Sequence, residues 1–351
     1  MKKKIGTIQM ALSFAGCFLG AGFVSGQEIC QYFLSYGRDG FFAFGLSMVL
    51  LCLFSALVMI AQKTGKRTFD ELMIGSDIPW LKGLVSIFMV LFFMSISSIM
   101  AAGIGSLGRQ VFGFPEIAGC VVTVALTAVI AFYGLDGMVS VFSAAVPVLL
   151  VAAVVISGIA IARTGFLGLS VPEASGYSLL GSWATSAVNY TALNYFGSVG
   201  ILAPLVFHTK KEKNVVSGVI LGTVFLVLLG GLFIAALCTA PDYSSIELPM
   251  LTLSGRIGAA AYYIYALLMF LGMFGCCVSS TVAVIEYGKE KTGTFNRHTG
   301  LWILVISVFE FAASSFGFTD LVGYAYPVFG YMGIATLVMT VVNAVKVFGK
   351  R

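Results

Sequence analysis

Apolar runs of roughly 20 residues follow one another along nearly the whole chain, and few of them contain a charge. As an α-helix rising 1.5 Å per residue, a run of that length crosses the roughly 30 Å hydrocarbon core of a bilayer. Lipid offers backbone N–H and C=O groups no partners, so a spanning segment has to be a helix or part of a closed barrel. Runs this long select the helix. Composition agrees: with 59% hydrophobic and 10% charged residues, 351 residues carry too little charge to clothe a water-facing surface. Candidate spans fall at about 7–35, 40–62, 80–112, 116–133, 137–162, 179–207, 214–238, 255–287, 299–315 and 319–347. Ten spans leave little over for a soluble domain.

The polar segments between these spans test the count independently. One alternating set holds Lys2 to Lys4, Lys63, Lys66, Arg67, Lys82, Lys210, Lys211, Lys213, Lys289, Lys291, Arg297, Lys346, Lys350 and Arg351. The other set holds only Arg38, Arg109, Arg163 and Arg256. A missed or extra helix would scramble so strong a bias, and the positive-inside rule reads it as both termini cytoplasmic. The net charge of +5 therefore belongs to membrane edges and implies no nucleic-acid partner. Lys2-Lys3-Lys4 ahead of an apolar run ending at Cys17 has the outline of a lipoprotein signal, but the further spans favour a basic end on a first membrane helix.

The seven cysteines are odd in number and lie in or beside apolar runs, which implies small hydrophobes and no disulfide framework. His208 and His298 stand in polar loops with no cysteine pair near them, so no metal-ligand spacing is present. No Ser/His, paired-Asp or zinc-ligand arrangement shares one depth, so an intramembrane enzyme is not expected.

Two spans depart from helical logic. In the first, Gly16-Cys17-Phe18-Leu19-Gly20-Ala21-Gly22-Phe23-Val24-Ser25-Gly26-Gln27-Glu28 places four glycines and two strongly polar side chains at membrane depth. Each interior glycine costs a helix about 1 kcal/mol. Close packing through Gly16/Gly20 and Gly22/Gly26 accounts for the glycines; it does not account for Glu28, since an ionisable residue within a span is expensive and by default functional. The sixth span, from Asn189 to Pro204, holds Asn189, Asn194, Gly197, Ser198, Gly200 and Pro204. Matched interruptions in the first span of each half point to a transporter binding site between two inverted repeats. Here the halves are about 7–162 and 179–347, each of five spans, with a long third span matched by a long eighth. The match is one of helix lengths, without a residue-level repeat.

Gly20-Ala21-Gly22-Phe23 followed by Ser25-Gly26-Gln27-Glu28-Ile29, with the partner interruption in the sixth span, resembles the YkvI-like bacterial membrane proteins. These are relatives of the branched-chain amino acid:cation symporters within the amino acid–polyamine–organocation superfamily. The resemblance covers all ten spans and implies the LeuT-type fold, an all-α 5+5 inverted repeat with helices one and six broken, in the bacterial inner membrane. It implies a secondary transporter that carries a small amino acid or similar zwitterion by alternating access. Residues implied at the substrate are Gly20, Ala21, Gly22 and Phe23 at a half-helix N-terminus suited to a carboxylate, with Asn194, Tyr195, Phe196 and Ser198 opposite. A coupling sodium ion is implied at the carbonyls of Gly16 and Leu19 and the hydroxyls of Ser279 and Ser280. The alternative for those hydroxyls is bonding back to the preceding turn.

The chain departs from that pattern in two ways. Phe23 and Val24 stand where well-known members carry an Asn for a second sodium, so no second ion is expected there. No Lys occurs in 137–162, where some proton-coupled relatives carry one, which favours sodium. Glu28 could itself carry a proton, and H+ coupling stays open as the alternative. A substrate-sensing receptor that keeps the fold without transporting is the alternative outside transport. Glu310, midway along the ninth span, reads as a hydrogen-bonded structural carboxylate or a proton relay; the resemblance assigns it no role. Tyr324, Tyr326 and Tyr331 read as outer gate or interface anchors, and Gly103-Ile104-Gly105-Ser106-Leu107-Gly108 reads as close packing.

Overall fold

The computed structural model describes residues 6–18, 21–65, 73, 79–132, 134–164, 170–171, 173–175, 179–207, 209, 211–239, 246–291, 295 and 297–349. Its elements are helices: α1 (Thr7–Gly16), α2 (Ala21–Ser25), α3 (Gln27–Tyr32), a 3-10 turn Leu34–Tyr36, α4 (Asp39–Gly65), α5 (Pro79–Phe112), α6 (Glu116–Ala131), α7 (Gly134–Thr164), α8 (Trp183–Val206), α9 (Glu212–Leu237), α10 (Pro249–Ile257), α11 (Ala259–Lys291), α12 (Thr299–Ser314), α13 (Phe318–Asp320), a π turn Leu321–Ala325 and α14 (Tyr326–Gly349). Each of the ten expected ranges carries helix. The short α10 was not expected; it starts on a proline and is too short to cross a membrane.

Among the described residues, five helical stretches are long and apolar enough to span by themselves: α4, α5, α9, α11 and the run from α13 through α14. Large apolar side chains such as Phe42, Ile87, Leu228 and Leu304 stand outward and exposed, as surfaces solvated by lipid require. α11 is the inner column, with 78% of its apolar window buried. It packs against α5 and α7, while α8 packs against α4 and α14, and α1 lies along α9.

The expected break in span one is present and is double. α1 ends at Gly16, and α2 is only five residues long. Gly26, at φ 85°, then adopts the left-handed conformation that only glycine enters without strain, and the chain restarts as α3. The groups freed at Gly26 are satisfied locally. Ser25 donates its hydroxyl to the Gly22 carbonyl at 3.1 Å and accepts from the Gln27 N–H at 3.2 Å. From α11, the Tyr265 hydroxyl donates to the Val24 carbonyl at 2.7 Å.

Span six differs from the expectation of a break: α8 is continuous from Trp183 to Val206. The physical reason lies in its polar side chains, which bond back into their own helix and leave its ladder intact. Thr191 Oγ1 donates to Ala187 O at 2.8 Å, Asn194 Nδ2 to Tyr190 O at 3.0 Å and Ser198 Oγ to Tyr195 O at 3.2 Å.

Glycines let α5 and α6 cross closely. A Cβ on Gly119 of α6 would lie 2.8 Å from the Gly105 Cα and 3.2 Å from the Ile104 carbonyl of α5, both backbone atoms that cannot swing aside. Gly119→Leu is therefore expected to cost at least the roughly 1–3 kcal/mol of an overpacked core and to lower the thermal midpoint in detergent. Gly108→Leu, on a site with nothing within 4 Å, should leave it near wild type. Equal midpoints for the two variants would refute the close-packing role.

Polar clamps collect at the two ends of the bundle. At one end Lys63 of α4 bonds to Thr209, and Thr64 donates to Glu212 at 2.9 Å. At the other, Arg109 pairs with Glu116 and Glu247, each at 2.9 Å, and Arg163 reaches the carbonyls of Arg256 and Ile257. The groupings follow the two sets of polar segments read from the sequence.

Candidate functional site

The end of α1, the start of α3, and the middles of α5, α8 and α11 meet around a central cavity, which Tyr326 at the head of α14 closes. Cys17, Phe18 and Glu28 come from the broken span, Asn194 and Ser198 from α8, and Cys276, Ser279 and Ser280 from α11. Phe92, Ile96 and Met100 supply an apolar wall. The cavity measures about 50 Å³, room for an ion and a few waters. That is far below the roughly 300 Å³ where small-molecule pockets begin. A solute of amino-acid size would need the broken span or α8 to move.

Glu28 is 6% exposed and folds back over the break. The reversal at Gly26 brings its carboxylate onto the Cα of Gly22, so close that a Cβ there would fall 2.2 Å from Glu28 Oε1. Tyr190, Cys276 and Tyr326 lie within electrostatic reach of the carboxylate. Across the cavity, Ser279 and Ser280 behave differently. Ser279 donates to the Cys276 carbonyl at 2.9 Å, the back-bonding alternative. Ser280 Oγ is buried in the cavity wall and finds no hydrogen-bond partner among the described residues. A buried hydroxyl left so costs about 1–3 kcal/mol, and an oxygen lone pair aimed into a small cavity suits a hard cation.

Other expected residues are distributed more widely. Leu19 and Gly20 lie outside the described residues. Gly16 is buried at the end of α1, and Ala21 opens α2. Phe23 turns away from the cavity to pack on Phe233 of α9, ring centroids 5.7 Å apart. Phe196 joins Phe88, Phe92 and Phe93 behind the apolar wall, and Tyr195 is fully buried outside the lining. Of the three tyrosines, Tyr326 lines the cavity, while Tyr324 and Tyr331 are exposed.

Sequence reasoning passed over Cys17 and Cys276 and counted Asn189 only as an interruption of span six. The cysteines read as inert apolar filler because a cavity formed by distant segments leaves no local signal. Asn189 joins three elements. Its Oδ1 accepts from the Tyr32 hydroxyl of α3 at 3.3 Å, and its Nδ2 donates to the Pro327 carbonyl of α14 at 2.9 Å. Gln27 points out of the site, its amide meeting the Ile246 and Glu247 carbonyls ahead of α10 at 3.2 and 3.3 Å.

No family model matches the chain. It is 27% identical over 331 residues to the uncharacterized membrane protein YkvI of Bacillus subtilis (strain 168), covering 93% of each chain. Among solved structures it resembles a Na+-coupled sialic acid symporter in a substrate-bound, outward-open state, with TM-score 0.70 and 13% identity over 95% of this chain and 78% of that one. It also resembles MhsT in complex with L-phenylalanine, with TM-score 0.68 and 13% identity over 96% of this chain and 89% of that one. At such identity these likenesses show the fold: the chain has LeuT-type architecture and is similar to YkvI over nearly its whole length.

Proposed function

From a YkvI-like chain of this architecture we propose a secondary active transporter, a sodium-coupled symporter of a small amino acid or similar zwitterion working by alternating access in the bacterial inner membrane, both termini cytoplasmic. Its two halves, about 7–162 and 179–347, are inverted repeats, and a bundle containing the broken span rocks about the cavity between them. The observation that carries the reading is the meeting of the broken first span with the unpartnered Ser280 hydroxyl across one small cavity. Sodium at the Gly16 and Leu19 carbonyls and the Ser279 and Ser280 hydroxyls would hold α1 to α11. Substrate would then bind beside Gly22, facing Asn194 and Ser198. Fold neighbours that include a Na+-coupled symporter support the same reading.

Uptake of radiolabelled amino acids into proteoliposomes should require an inward sodium gradient. The Ser279→Ala, Ser280→Ala double variant should lose about tenfold or more in sodium affinity, roughly 1.4 kcal/mol per tenfold. Full uptake in choline buffer at fixed pH would overturn sodium coupling. One observation favours a second reading, proton coupling: Glu28 lines the same cavity. Uptake driven by a pH gradient without sodium, and lost in Glu28→Gln, would select it. Binding in detergent without accumulation in vesicles would instead select the receptor.

A further inference from the structure

The central cavity leaves one buried acid unexplained. Glu310 of α12 is 0% exposed and points inward between α5 and α11. Its Oε1 accepts from Thr281 Oγ1 at 2.8 Å, while its Oε2 has no hydrogen-bond partner among the described residues. Among the described residues no Lys, Arg or His forms an ion pair with it. A carboxylate at this depth is expensive unless positive charge is supplied.

The atoms around it are mainly hard oxygens. Thr281 Oγ1 lies 3.0 Å from the Cys277 carbonyl, and Ser97 Oγ of α5 lies 3.1 Å from Thr281 Oγ1 and 3.4 Å from that same carbonyl. Ser97, Cys277 and Thr281 are each 0% exposed. One carboxylate, a second hydroxyl and a carbonyl from three helices are thus gathered around Thr281 Oγ1, each within hydrogen-bond spacing of it. The one soft atom, Cys277 Sγ, is engaged by Ser97 and by Thr127 of α6.

We propose that Glu310, Thr281, Ser97 and the Cys277 carbonyl form a second monovalent-cation site, separate from the central cavity and bracing α11 against α5 and α12. On binding, the Thr281 and Ser97 hydroxyls turn lone pairs toward the ion, and the idle Glu310 oxygen joins them. Thr281 directly follows Ser280, so the ion would fix the segment that carries the proposed central sodium ligands. This deepens the transport reading by assigning two coupling ions per cycle. The second site uses residues unrelated to the Asn that span one lacks.

Equilibrium binding of 22Na+ to the purified full chain in detergent at fixed pH tests it. Wild type should bind two sodium ions, Ser280→Ala one and Glu310→Gln one. Because Glu310→Gln risks misfolding, Thr281→Val, which keeps the carboxylate, provides a second route and should weaken one of the two sites at least tenfold. A wild-type stoichiometry of one, lost in Ser280→Ala and intact in Glu310→Gln, overturns the second site and leaves the central one standing. One ion lost in Glu310→Gln and indifferent to Ser280→Ala keeps the Glu310 site and overturns the central assignment. No saturable sodium binding in wild type overturns both.

Discussion

Adding one methyl group at Gly22 is expected to abolish uptake and to destabilise the folded chain by about 1–3 kcal/mol, the range for overpacking a tight interior. The new Cβ would fall 2.2 Å from Glu28 Oε1, 2.5 Å from its Cγ and 2.6 Å from its Cδ. These atoms belong to one carboxylate side chain that is nearly fully buried. To make room Glu28 would have to leave the fold-back position that the turn at Gly26 gives it. A double-variant cycle separates crowding from loss of a binding group. Gly22→Ala with Glu28→Ala removes the collision, so the pair should recover most of the thermal stability, with a coupling energy of about 0.5–3 kcal/mol. Sodium coupling at the Ser279 and Ser280 hydroxyls then predicts that transport returns with stability, whereas proton coupling through Glu28 predicts that it does not. Additive effects of the two substitutions on thermal unfolding would refute the proposed contact.

That contact illustrates where sequence reasoning reaches and where it stops. The break in span one is legible because four glycines and two polar side chains are too costly for an uninterrupted apolar helix. Its double form rests on Gly26, which looks like any other glycine until its φ of 85° is known. The same logic overreached in span six. Asn194 and Ser198 look like interruptions, but each satisfies itself on a carbonyl three or four residues back, and such local bonds are invisible in composition. Ser280 was legible as a hydroxyl on span eight, whereas its lack of a partner beside bonded Ser279 needs coordinates. Phe23 lies next to Gly22 in sequence, but helix rotation aims it at Phe233 and away from the cavity. Glu310 stood out as a membrane carboxylate, but its surroundings come from α5 and α11, which its own sequence neighbourhood does not encode.

The other large effect is expected at the joint between α3, α8 and α14, where Asn189 is 0% exposed. Gly330 of α14 fits it closely: a Cβ there would fall 2.0 Å from Asn189 Oδ1 and 2.4 Å from its Cγ. Gly330→Ala should therefore push α14 off α8 and reduce stability by about 1–3 kcal/mol, with Asn189→Ala in the same chain relieving the collision. Asn189→Asp probes the hydrogen bonds at nearly constant shape. It retains an acceptor for Tyr32, removes the donor to Pro327 and adds a buried charge. It should therefore be more damaging than Asn189→Ala, since stranding a charge costs more than leaving a neutral group unpaired. The two substitutions also divide structure from motion. Ser186 donates to the Tyr32 carbonyl at 2.6 Å, so α3 and α8 remain tied when Asn189 is lost, and the connection to Pro327 is the one removed. If α14 has to travel with the broken span during alternating access, Asn189→Ala should keep sodium binding close to wild type while uptake falls at least tenfold. If uptake and thermal stability fall in proportion, Asn189 is a packing residue and α14 has no separate part in the cycle.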